Sequence, residues 1–167
     1  MEKRYGNGMI IGKFMPLHLG HEYLIRTGLE MCDHLTVLVS VLPGEPINGL
    51  LRFHWVKERF PKANVVYLED FIPIYPRSDL RYWEMWTDHI RRHLDKKPDV
   101  VLSSEDYGDG LAKWLGAEHV CVDKAREEVG ISGTQIRADP IGCIDYISPA
   151  ARSYFVGEEK HRSKVRG

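Results

Sequence analysis

Two histidines, a lysine and two glycines fall within ten residues near the start of the chain, Gly12-Lys13-Phe14-Met15-Pro16-Leu17-His18-Leu19-Gly20-His21. An apolar run, Met9-Ile10-Ile11, leads in, and a helical pattern from Glu22 to Met31 leads out. That order predicts a strand, a tight turn and a helix N-terminus. A helix N-terminus presents unpaired N–H groups and a partial positive charge, so it attracts phosphate. Gly20 removes a Cβ where a ligand would approach the backbone, and Pro16 fixes the turn. His18 and His21, three apart, share a face if the helix starts there. Imidazoles in that place donate hydrogen bonds to phosphate oxygens, and either is able to carry a proton. Lys13 adds a full charge. Taken singly, the histidines also fit two other readings, as surface residues or as metal ligands. No cysteine or carboxylate cluster stands beside them to complete a tetrahedron.

A second stretch, Ile131-Ser132-Gly133-Thr134-Gln135-Ile136-Arg137, contains a Ser-x-x-Gln capping box. It starts a helix, and it sets Arg137 within reach of a phosphate. Between the two stretches, Tyr82-Trp83-Glu84-Met85-Trp86 places two indoles three apart. They serve either as packing or as a flat platform for a base or a cationic ring, the latter gaining about 0.5–2 kcal/mol. Ser103-Ser104-Glu105 and Arg126 follow strands, where they can line a ligand pocket or grip phosphate.

The pattern Gly12-Lys13-Phe14-x-Pro16-x-His18-x-Gly20-His21 resembles the HxGH signature of the nucleotidylyltransferases. Its form is most similar to the adenylyltransferase domain of NadR-type proteins. Ile131-Ser132-x-Thr134-x-x-Arg137 resembles the ISxTxxR signature of the same superfamily. The likeness runs from about residue 8 to Phe155. It implies transfer of the adenylyl group of ATP to nicotinamide mononucleotide, giving NAD and pyrophosphate, with Mg²⁺ carried on the ATP phosphates rather than in a protein metal site. The resemblance implies a catalytic set of Lys13, His18, His21 and Arg137. Gly12, Phe14, Gly20, Ser132, Thr134 and Arg126 join them around ATP. Trp83, Trp86 and Arg52 are implied for the nicotinamide nucleotide, with Trp86 favoured over Trp83 as the stacking ring. Rival expectations are an adenylyl- or cytidylyltransferase acting on phosphopantetheine or FMN, and a non-catalytic NAD- or ATP-sensing module. The sequence contains no GxxxxGK[ST] run, so the kinase and DNA-binding activities of longer NadR-type proteins are not expected here.

The elements that must position these residues alternate. Strands are expected over Gly8 to Phe14, His34 to Leu42, Asn64 to Leu68, Asp99 to Leu102 and His119 to Val122. Helices are expected over Leu19 to Met31, Gly49 to Phe60, Leu80 to Leu94 and Tyr107 to Leu115, and short helical turns over Ile144 to Phe155. The near-continuous apolar strands suit a parallel sheet covered on both faces. The expected fold is therefore α/β, a Rossmann-like, doubly wound, five-stranded parallel sheet of the nucleotidylyltransferase type. Both motifs then fall after strands, where such sheets bind ligands.

With 167 residues, 43% hydrophobic and 28% charged, one domain with a basic tail from 156 is expected. The net charge of −1 gives no case for nucleic acid or membrane as partner. Cys32, Cys121 and Cys143 are widely spaced, which argues against a disulfide framework and fits a reducing, cytoplasmic setting. Exposed aromatics such as Tyr75 and Tyr82 are available to a homo-oligomer interface.

Overall fold

The computed structural model describes residues 3–122 and 130–156. Five parallel strands form one sheet: β1 (Tyr5–Gly12), β2 (Cys32–Val41), β3 (Asn64–Glu69), β4 (Val100–Ser103) and β5 (Glu118–Cys121), in the order β3-β2-β1-β4-β5. The helices between them are α1 (Leu19–Met31), α2 (Gly49–Arg59), α3 (Leu80–Arg91) and α4 (Tyr107–Leu115). After β5 come α5 (Gly133–Ala138), a 3₁₀ turn at Ile144–Tyr146 and a helix at residues 149–156. Arg126, the stretch around it and the basic tail beyond 156 lie outside the described residues.

Alternation along each strand sorts the core into two layers. Ile10, Val37, Val39, Val100 and Leu102 face one side, together with Ile25 of α1 and Trp55 and Val56 of α2. Met9, Ile11, Leu38 and Val101 face the other, with Ile90 of α3 and Leu111 and Leu115 of α4. Each such fully buried side chain contributes roughly 1.5–3 kcal/mol relative to exposure. Residues after α5 also serve the first layer, because Ile136, Ile147, Ala151 and Phe155 are all buried there.

β1 lies between β2 and β4, so the chain leaves β1 leftward through α1 and returns rightward through α3. The carboxyl ends of β1 and β4 therefore flank the point where strand order reverses, and open sheets bind ligands there. Compared with the expected bounds, β1 and β2 begin earlier, since Tyr5 pairs with Cys32 and Asn7 with His34. β1 ends at Gly12 rather than Phe14, because Phe14 turns to a left-handed φ of 51° and leaves the ladder. Gly116 closes α4 in the left-handed conformation, as its position predicts. Among the described residues no helix is long and apolar enough to cross a membrane.

Candidate functional site

The turn after β1 is held in an unusual way. His18 is the N-cap of α1, with extended backbone (φ −134°, ψ 174°). Its Nδ1 accepts from the N–H groups of Gly20 (3.0 Å) and His21 (3.3 Å). In return, His21 Nδ1 accepts from the N–H of His18 at 3.2 Å. The two imidazoles thus form a capping box, a job normally done by Ser or Thr with Glu or Gln. Their rings stack with centroids 3.6 Å apart. A ring nitrogen that accepts carries no proton, so this geometry fixes the Nε2–H tautomer of both rings. Phe14, buried, sets its ring edge against His21 at 4.8 Å and folds back over Gly12.

Gly20 serves this cap as well as any ligand. A Cβ there would stand 2.8 Å from His18 Cε1 and 3.0 Å from its Nδ1. Gly20→Ala should push the ring out of its hydrogen bonds, costing about 1 kcal/mol and lowering the melting temperature by about 2–4 °C. A thermal melt with no shift would mean that the turn absorbs the methyl without moving His18.

Lys13 ends beside the same turn, exposed, with Nζ 2.5 Å from Glu45 Oε2. Glu45 also accepts from Leu42 N–H at 2.6 Å and Arg52 Nη2 at 2.9 Å. Burial pushes the Glu45 carboxyl upward, but the bonds from Lys13, Leu42 and Arg52 prevail and hold it below its ordinary value. Arg52, expected at the nicotinamide nucleotide, is 0% exposed and is not among the residues that line the cavity. Its guanidinium donates to the carbonyls of Ile47, Lys13 and Ser40 as well as to Glu45. Those acceptors, brought from three segments, make it a clamp behind the site.

On the opposite wall, Ser132 and Gln135 form the expected capping box, with Gln135 N–H donating to Ser132 Oγ (3.2 Å) and Ser132 N–H to Gln135 Oε1 (3.0 Å). Arg137 Nη1 donates to the carbonyl of Met15 at 2.5 Å, tying α5 to the β1–α1 turn. A Cβ on Gly133 would stand 3.3 Å from that same carbonyl oxygen, so glycine permits the approach. α5 has only six residues, so its dipole is small, and among the described residues Arg137 supplies most of the positive charge on this wall.

A cavity of about 710 Å³ joins these pieces. Gly12, Lys13, Phe14, His18, Gly20 and His21 line it from the first motif, and Ser132, Thr134 and Arg137 from the second. Its volume is ordinary for a small-molecule site. Trp86 lines it, whereas Trp83 does not. Trp83 packs on Gly110 and donates its indole N–H to the carbonyl of Arg77. Trp86 donates to Asp70 Oδ2 (3.3 Å), which also accepts from Ser40 Oγ (2.8 Å). The Tyr107 hydroxyl donates to the carbonyl of Ile11 at 2.9 Å, and burial pushes its pKa up to about 12.

Asp70, Arg77 and Tyr107 line the cavity without having been singled out in the sequence. Asp70 directly follows β3 and Tyr107 opens α4, so the strand-end rule that selected Ser104 and Glu105 reaches them too. Ser104 and Glu105 do line the cavity. The strand end that carries them is anchored by Ser103, whose Oγ sits 2.7 Å from His119 Nε2, while His119 Nδ1 lies 2.6 Å from Asp109. Ser103 is 3% exposed and covered by Gly108. This trio therefore stiffens the strand end and presents no nucleophile. Among the described residues no group of three or more His, Cys, Asp or Glu side chains is placed to hold a metal.

No family model matches the chain. The trifunctional NAD biosynthesis/regulator protein NadR of Escherichia coli (strain K12) is 29% identical over 170 residues, covering 89% of this chain and 40% of that protein. The NadR proteins are homologues of this chain. NadR of Salmonella typhimurium is also 29% identical, over 171 residues, with the same coverage of 89% and 40%. The chain spans about two fifths of the length of these curated NadR relatives. A solved NadR structure in complex with NAD and AMP-PNP matches with a TM-score of 0.65 at 22% identity, covering 90% of this chain and 47% of that one. Another, in complex with NR, matches at 0.64 and 25%, covering 91% and 46%. A bifunctional NMN adenylyltransferase/ADP ribose pyrophosphatase from Francisella tularensis, complexed with AMP and a manganese ion, gives 0.60 at 14% identity, covering 80% and 41%. The sheet and its helices are thus the α/β fold of these nucleotidylyltransferases.

Proposed function

We propose that this chain transfers the adenylyl group of ATP to nicotinamide mononucleotide, releasing NAD and pyrophosphate. One observation carries the reading. The two phosphate-facing motifs, more than 100 residues apart, line a single cavity together with an aromatic wall. The NadR relatives, with structures named for complexes with NAD, AMP-PNP and NR, supply the substrate class.

In the proposed reaction a 5′-phosphate oxygen of the mononucleotide attacks the α-phosphorus of ATP in line. A new P–O bond forms as the bond to the bridging oxygen breaks, and that electron pair leaves with pyrophosphate. The nucleophile is already an anion, so no protein base is required. Catalysis then rests on positioning and charge stabilisation. His18 and His21 donate through Nε2–H to phosphate oxygens, Lys13 and Arg137 neutralise charge from opposite walls, and Ser132 and Thr134 add hydroxyls. Gly12, Phe14 and Gly20 shape the turn. Arg126 remains part of the proposed ATP set. A divalent ion carried on the ATP phosphates would screen their charge.

Trp86 is the proposed nicotinamide platform. Asp70, bonded to its indole, would set a carboxylate beside a pyridinium ring stacked there. That arrangement favours the amide mononucleotide over the acid, whose own carboxylate would meet Asp70 in repulsion. Pyrophosphate release with ATP should therefore be faster with the amide by about tenfold in kcat/KM, roughly 1.4 kcal/mol. Trp86→Ala should raise KM for the mononucleotide more than KM for ATP. Turnover with FMN or phosphopantetheine in place of the mononucleotide would point to the rival transferases, and saturable nucleotide binding without any pyrophosphate would point to a sensor.

A further inference from the structure

α3 and α4 each have one end at the cavity just described and the other at the far edge of the sheet, where the structure holds a second cavity of about 480 Å³. Arg91, Lys96, Lys97 and Lys113 line it, with Trp114 and Leu94. Among the described residues no acidic side chain lines it. We propose that this cavity is a second, separate binding site for a nucleotide carrying two or more phosphates.

The simplest competing account is that the cations merely offset the negative carboxyl ends of α3 and α4. It covers Arg91, which donates to the carbonyl of Trp114 and lies 3.7 Å from Asp88. It leaves the lysines unexplained. The end of α4 is already closed by its own backbone, with Gly116 N–H donating to Lys113 and Ala117 N–H to Ala112. Among the described residues Lys96, Lys97 and Lys113 form no ion pair with a carboxylate. Like charges converging on one cavity repel, and a polyphosphate turns that repulsion into attraction. Trp114 is half-buried, and an indole wall beside cations suits a flat base joined to phosphates. The volume is that of a small-molecule site. Both strand ends argue for separateness: Pro98, just before β4, lines this cavity, and Ser104, just after β4, lines the other.

The experiment is an ADP titration of the full chain, labelled with ¹⁵N at tryptophan and followed by the indole N–H resonances. Trp86 reports the first cavity, Trp114 the second, and buried Trp55 the integrity of the fold. The expected result is that Trp114 shifts along its own saturation curve, distinct from that of Trp86. In Lys97→Glu/Lys113→Glu the Trp114 curve should weaken by about tenfold, with Trp86 and Trp55 unchanged. Lys96→Ala/Lys113→Ala, a milder pair, should weaken it in the same direction. A Trp114 resonance that stays still, or a response that survives charge reversal, would overturn the proposal. Pyrophosphate binding as tightly as ADP would overturn the assignment to a nucleotide. Failure of the pyridine-nucleotide reading would appear separately, as a Trp86 resonance that stays still when nicotinamide mononucleotide is added in a parallel titration.

Discussion

His21→Ala should lower turnover by roughly 10²–10³-fold, the scale for one lost donor to a developing charge. It should also cost about 1 kcal/mol of stability, because His21 Nδ1 caps the N–H of His18. The two effects can be separated. Glutamine is an ordinary partner at this position of a capping box, and Gln135 plays that part for Ser132. His21→Gln should therefore keep the wild-type melting temperature within a degree or two while losing nearly as much turnover as the alanine variant. Steady-state pyrophosphate release and a thermal melt on the same three proteins give the answer. If the glutamine variant turns over like wild type, the imidazole is only a cap and the proposed donor must be sought elsewhere.

Arg52→Ala should act on the fold first. The side chain is 0% exposed and satisfies three backbone carbonyls and the Glu45 carboxylate. Removing one partner of a buried ion pair costs about 3–5 kcal/mol, against a total of roughly 5–15 kcal/mol for a domain. The melting temperature should fall by on the order of 10 °C. Arg52→Lys should rescue little, since an ammonium cannot reproduce the planar fork that reaches Ile47, Ser40 and Lys13 together. Urea denaturation of the two variants measures this. An unchanged midpoint combined with a raised KM for the mononucleotide would restore Arg52 to the ligand-contact role first expected of it.

Arg52 shows where sequence reading stopped. Its helix, α2, was placed to within a residue, but its burial depends on the carbonyls of Lys13 and Ser40, which only the folded sheet brings to it. The bounds of α1 and α4 were legible because their ends carry local signals, His18 at one start and Gly116 at one close. The starts of β1 and β2 were not, because Tyr5 and Asn7 join the ladder by backbone pairing with no apolar pattern to announce it. The strand order was also out of reach, since alternation implies a parallel sheet but not which strands neighbour β1. His18, His21 and Arg137 were singled out by local pattern, and the structure brings them to one cavity. The two tryptophans were not resolved by spacing. Three residues along a helix turn through about 300°, so the rings point roughly 60° apart. That angle sends Trp83 onto Gly110 and leaves Trp86 to face Asp70.

Lys13 and Arg137 already have anionic or carbonyl partners within the protein, Glu45 and Met15. Under the proposed function, binding a phosphate there would be an exchange reaction, in which one acceptor leaves as another arrives. A ligand with a single phosphate can displace only one of the two, and it recovers little beyond what it breaks. A triphosphate reaching both walls would complete both exchanges at once. Under the proposed function, the pairing would act as a threshold on ligand charge, favouring a polyanion that reaches both the turn and α5 over inorganic phosphate.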